Sequence, residues 1–251
     1  MDEIQILQKR LEEFAKQSYQ SGIFTFSDFL SLAEQDVFYK MGRELQYARP
    51  SLFGGAEPCE RKIVRFGSED ELGYSLDYPI KCIKASAKDP KFSDGFSHRD
   101  LLGALMNLGI KRQMLGDIAV DGTDGFIFCH EKICDFILME LKKARHTVLT
   151  VALYEGDISC RIFKKEPRQI QCASLRLDCV IAKAWELSRS EAQELIASGK
   201  VYLGGLQCID NSYELKEEQV VSVRGHGKFV YKSVLSLSKK GKLNLLIEQY
   251  V

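Results

Sequence analysis

The chain has 251 residues, 45% of them hydrophobic, with 35 basic and 35 acidic side chains. That length suffices for two or three domains with cores of their own. A formal charge of zero excludes a chain that coats nucleic acid by bulk attraction, so any polyanion contact rests on local patches.

Eight cysteines are present without a C-x-x-C pair, and the four histidines fall outside zinc-ligand spacing. Cys129, His130 and Cys134 come nearest to a metal cluster, but buried reduced thiols account for them better. No metal and no cofactor is expected. No charged-then-apolar leader opens the sequence and no apolar run is long enough to span a bilayer. The expectation is a cytoplasmic protein without membrane contact.

In residues 1–50, Ile4, Leu7, Leu11 and Phe14 recur at helical spacing, and Ser27 is placed to cap a second helix bearing Phe29, Leu30 and Phe38. The stretch RPSLFGGAEPCERKIVRFG then breaks the pattern with Pro50, Gly54, Gly55 and Pro58, predicting a loop followed by a strand over 62–66. From residue 79 the order is strand (PIKCIKASA), helix capped by Ser97, strand (GDIAV), turn, strand (FIFCH), helix (131–144) and strand (HTVLTVALY). This β-α-β-β-α-β series is the split order of ferredoxin-like folds, which RNA-recognition domains share. Phe126 and Phe128 lie on one face of the third strand, as base-stacking aromatics do in such domains. Asp124 departs from the usual basic residue there, and the same two rings equally suit the helix side.

Residues 157–173 are polar and predict a connector, with a module over 174–235 and a tail over 236–251. Leu177, Val180, Ile181, Ala184 and Trp185 form one apolar helical stripe. Ser188 and Glu191 form a capping box for a second helix, which Gly199 ends. Arg189 is then the first helical residue, where the helix dipole disfavours a cation unless an anion sits opposite. KVYLGG is a strand entering a Gly204-Gly205 turn, and QVVSVRGHGKFVYKSVL supplies two more strands.

Taken together, Arg176-Leu177-Asp178, Ser188-Arg189, Ala192, Leu195-Ile196, Gly199-Lys200-Val201 and Gly205 resemble the S-four RNA-binding domain, named after the fourth protein of the small ribosomal subunit. Gly204 departs from that family's usual asparagine. With GGAEPCERK, SHRDLLGALMNLGIKRQMLGDI and DGFIFCHEKICDFI, the chain from about residue 50 to 235 resembles the bacterial YlmH family. The resemblance implies an α+β protein with an N-terminal helical and mixed part (1–78), an RNA-recognition-like middle domain (79–156) and an S-four module (174–235). It implies a ribosome-associated factor that binds structured ribosomal RNA, with tRNA as a further ligand, on large subunits obstructed by peptidyl-tRNA.

The anion opposite Arg189 would then be an RNA phosphate, because helix N-termini bind phosphate and arginine offers a forked donor. The resemblance places Arg176, Ser188, Arg189, Lys200, Arg224 and Lys228 on the RNA-facing side. Arg99, Lys111, Arg112, Phe126 and Phe128 are candidates for a second RNA surface. For each cation the plain alternative is a solvated side chain, and capping alone accounts for Ser188.

His98-Arg99-Asp100 invites a kinase reading, but Leu105 stands where the catalytic loop needs asparagine, so that reading fails. A pseudouridine synthase with an S-four appendage is the enzymatic alternative, since Arg176-Leu177-Asp178 echoes its catalytic triplet. A cell-division-linked interaction protein is the third. The expectation is an RNA-binding protein with no catalytic residue and no DNA partner.

Overall fold

Leu11 and Ala15, one turn apart, are buried on α1 (Glu3–Ser21), with Leu7 and Phe14 packed beside them and Ile4 left half exposed. The computed structural model describes residues 3–90, 95–156, 165–238 and 241–250. The chain forms two units, Met1–Ile162 and Phe163–Val251.

After β1 (Thr25–Phe26) the second helix starts later than predicted. Ser31, not Ser27, caps α2 (Leu32–Lys40), with Glu34 completing the box. Ser27 Oγ instead accepts from Val64 N at 2.9 Å, which ties an extended segment to the sheet, and Leu30 bridges Lys62 there. A short α3 (Gly42–Leu45) leads to β2 (Ser51–Phe53) and β3 (Ile63–Phe66), giving an antiparallel sheet in the order β1-β3-β2. A single turn, α4 (Glu69–Leu72), follows.

The next strands and helices are β4 (Ile80–Ala87), α5 (His98–Asn107), β5 (Leu115–Asp121), β6 (Asp124–His130), α6 (Cys134–Glu140), β7 (Lys143–Ala144) and β8 (Thr147–Leu153). They build an antiparallel sheet in the order β5-β6-β4-β8-β7. The helix predicted over 131–144 is shorter. A 3₁₀ turn (Glu131–Ile133) precedes α6, and the chain reverses into β7 after buried Leu141.

Because strand side chains alternate, Ile127 and Cys129 of β6 face the helices with Ile83, Leu101, Leu105 and Ile137. Phe126 and Phe128 face the other way, onto the sheet face where an RNA-recognition domain would stack bases. That face is covered: both rings are 1% exposed. Tyr154 meets Phe126 edge-on at 5.1 Å, and a Cβ on Gly55 would lie 2.4 Å from the Phe128 ring. The stacking role expected of the two phenylalanines is therefore corrected, since the loop after β2 occupies the bases' place.

The second unit contains β9 (Lys165–Cys172), α7 (Leu177–Ala184), α8 (Arg189–Ala197), β10 (Val201–Leu203), β11 (Leu206–Gln207), β12 (Gln219–Val223), β13 (Gly227–Leu237) and β14 (Leu243–Tyr250). Its antiparallel sheet runs β11-β10-β12-β13-β14-β9. Two expectations are corrected here. Residues 165–172 of the predicted connector are a strand, and residues 243–250 of the predicted tail are an interior strand paired along its length with β9. Ile170, Cys172, Leu245 and Ile247 alternate into the core, beneath polar neighbours that gave the segments their connector-like composition. Residues 157–164 and 239–240 lie outside the described residues. Arg168 of β9 donates to Ala184 O (2.8 Å), satisfying a carbonyl at the C-terminal end of α7.

Gly55 has φ +100°, so a side chain there would meet both the left-handed backbone penalty, about 1–2 kcal/mol, and overpacking against Phe128, about 1–3 kcal/mol. Gly55→Ala should lower stability by about 3 kcal/mol, read as a lower urea midpoint with an unchanged m-value.

Candidate RNA-binding interface

Asp178, the second residue of α7, lies inside the apolar stripe of Leu177, Val180 and Ile181 and is 0% exposed. A carboxylate without water must be paired or protonated. Here it is paired from three sides. Arg176 grips it with both forks, Nε to Oδ1 at 3.1 Å and Nη2 to Oδ2 at 3.2 Å. Arg189 Nε reaches Oδ2 at 3.1 Å, and Gln193 Nε2, one turn further along α8, donates to the same oxygen at 2.9 Å. Burial pushes the carboxyl up, but these hydrogen bonds and the charge of Arg189 outweigh it and hold it well below the usual carboxylate range.

The anion that Arg189 needs at its helix start is thus Asp178, which corrects the expectation that an RNA phosphate supplies it. The arginines are fixed without being used up. Arg176 keeps 36% of its side chain exposed and Arg189 57%. Ser188 caps α8 as predicted, its Oγ accepting from Glu191 N (3.2 Å) while its own N–H donates to Glu191 Oε2 (2.7 Å).

A second pair of cations comes together at the strand ends. Gly199, at φ +69°, turns the chain out of α8 into Lys200, and Arg224 N donates to Lys200 O at 2.9 Å. Both side chains are exposed. Gly204 and Gly205 both take positive φ, as a type I′ turn requires. Lys228 is set apart. Its neighbour Phe229 faces the helices, so Lys228 lies on the opposite face of the sheet, with its ammonium 4.5 Å from the Tyr250 ring centroid.

In the first unit, Arg99 and Lys111 are exposed. Arg112 is not a surface cation and is withdrawn from the second RNA surface. Its Nη1 donates to Leu115 O (2.8 Å) and Gly116 O (3.0 Å), and burial lowers its pKa to about 10. The seven described cysteines are free, and burial raises the Cys82 thiol to about 12. The sequence marks Asp178 only as part of the Arg-Leu-Asp triplet, not as the partner of Arg189, and gives Gln193 no role. The available signal was an acid inside an apolar stripe, which always needs a partner.

Residues 75–158 match the family model described as "Putative RNA-binding domain in YlmH", and residues 175–221 match the S4 (S-four) domain. The "Ribosome-associated protein quality control protein P2" of Bacillus subtilis (strain 168) is 28% identical over 224 residues, spanning 89% of this chain and 86% of that protein. Residues 75–158 are thus similar to a domain of the YlmH family, with an S4 domain following them. Among solved structures, "Cell division protein ylmH from Streptococcus pneumoniae" aligns with a TM-score of 0.49 at 18% identity, covering 61% of this chain and 92% of that one. The two domain matches support RNA binding, and Arg176, Asp178, Arg189, Gln193 and Lys200 fall within the second. The strands β9, β13 and β14 that complete the sheet lie outside it. No described helix is long and apolar enough to cross a membrane.

Because the folded Asp178 carboxyl titrates below its ordinary 3.8, its contribution is fully present above about pH 4 and is lost as pH falls below that. Asp178→Asn should cost about 2–3 kcal/mol at pH 7 by unbalancing two arginines. Guanidinium melts at pH 7 and pH 3 should show this gap shrinking in acid; a gap independent of pH would contradict the paired-carboxylate account.

Proposed function

We propose that this protein is a non-catalytic, cytoplasmic, ribosome-associated factor whose S-four unit grips the backbone of structured RNA. Ribosomal RNA is the primary ligand and tRNA the second, on large subunits obstructed by peptidyl-tRNA, in ribosome quality control or rescue. The observation that carries this reading is the buried Asp178, which fixes two arginines while leaving their outer surfaces exposed. Guanidinium groups held in advance lose less freedom when they bind phosphate. The adjoining Lys200–Arg224 pair adds positive charge close to the end of the same helix. The printed name of the Bacillus subtilis relative supports the ribosomal setting. The enzymatic alternative is disfavoured because Asp178, the acid of the Arg-Leu-Asp triplet, is fully buried and already committed to three partners.

Arg189→Glu makes a poor test, since it would set a second carboxylate against Asp178. Lys200→Glu/Arg224→Glu is cleaner, because the two residues meet through backbone atoms. The wild type should co-sediment with large ribosomal subunits and the variant should remain at the top of the gradient, with its melting temperature unchanged. With about four phosphates neutralised, the log–log dependence of RNA affinity on salt should have a slope of roughly −3 to −4. Co-sedimentation of the variant at the wild-type level, or free wild type, would refute the reading.

A further inference from the structure

On the helical side of the first unit, α5 and the segment following α6 border a groove of about 540 Å³. Arg99, Lys142, Lys143 and Arg145 line it, against the carboxylates of Asp100 and Glu140. Asp100 is already held by the Ser97 capping box, its Oδ2 accepting from Ser97 N at 2.8 Å and Ser97 Oγ at 2.7 Å. All four cations are exposed, and among the described residues none has a carboxylate partner within ion-pair distance. In a chain of zero net charge this concentration is local, and the four cations outnumber the two carboxylates that line the groove.

Two local choices at the groove run against backbone preference. Arg145 occupies the first position of the two-residue turn between β7 and β8 with φ +53°, a conformation that favours glycine or asparagine. Gly103 sits in the middle of α5, where alanine is the better helix former, and a Cβ there would meet nothing within 4 Å. Packing therefore does not require the glycine, and turn geometry does not ask for the arginine. Both make sense if the groove must stay open and positively charged, since departures from local preference collect at functional sites.

We infer that this groove is a second RNA site that takes the phosphate backbone on the helical face of the domain, the face opposite the covered Phe126–Phe128 surface. The inference rests on the RNA-binding reading above and adds where the middle domain makes its contact. Lysines and arginines set along a groove, with no aromatic ring among its lining residues, suit sugar-phosphate rather than base recognition.

The test measures binding of a fluorescein-labelled RNA hairpin to the full chain across a salt series. Lys142→Glu/Lys143→Glu should weaken binding about tenfold or more and reduce the log–log salt slope by about 2. Gly103→Leu should fill the groove and weaken binding with the melting temperature unchanged or raised. Arg145→Gly should raise the melting temperature while lowering affinity, so it remains informative if the double variant fails to fold. Groove variants that bind like wild type, while Lys200→Glu/Arg224→Glu loses binding, would overturn this site and leave the S-four reading standing. If neither set alters binding, both readings fall. Loss of ribosome co-sedimentation with hairpin affinity intact would assign the groove to an acidic protein partner and overturn it as an RNA site.

Discussion

A single carboxylate shut away from water organises the S-four unit. Asp178 draws Arg176 from its own helix start and Arg189 and Gln193 from the next helix onto two oxygens, fixing how α7 and α8 meet. Buried ion pairs often add little net stability over a well-packed apolar pair, but one partner removed leaves the others unbalanced. Their value here is geometric. Each arginine has one edge spent on the protein and the rest turned to solvent, so the domain presents cations whose positions are set before any ligand arrives.

The first unit solves a different problem. Its strand order is that of an RNA-recognition domain, yet the face that would stack bases is filled by the chain itself. The loop between β2 and β3 is stitched down by Asp117, which accepts from Glu60 N at 2.6 Å and Arg61 N at 3.1 Å. Arg61 in turn donates to Leu115 O and Phe29 O, and it shares its low-dielectric surroundings with Arg112. Arg61 is consumed in joining the N-terminal segments to the sheet edge, and Arg112 in satisfying carbonyls of β5 itself. Topology here transfers the core and the strand order, but not the surface.

What the sequence made legible was local. The Ser188–Glu191 capping box, the Ser97 cap, the Gly204-Gly205 turn and the apolar stripe of α7 depend on neighbours within a few residues, and all are present. The need of Arg189 for an anion was equally local, but its partner lies eleven residues away and inside the core, so RNA was credited with a contact the protein makes itself. The strand pair β9 and β14 was missed because neither segment is apolar enough to announce itself alone. Only their mutual register shows that Ile170 and Leu245 fall on one buried face. Arg112 reads as a surface cation until carbonyls from Leu115 and Gly116 are seen to surround it.

The pairing of β9 with β14 also sets a timetable. Lys165 is matched with Tyr250 and Cys172 with Leu243, so the first strand of the unit finds its hydrogen-bonding partner only in the strand that follows all the unit's other described elements. During translation α7, α8 and the Asp178 cluster can assemble from contiguous chain, while β9 waits as an open edge with Ile170 and Cys172 uncovered. Of the pairings in this sheet, that of β9 with β14 closes the longest loop and so carries the largest loop-closure cost.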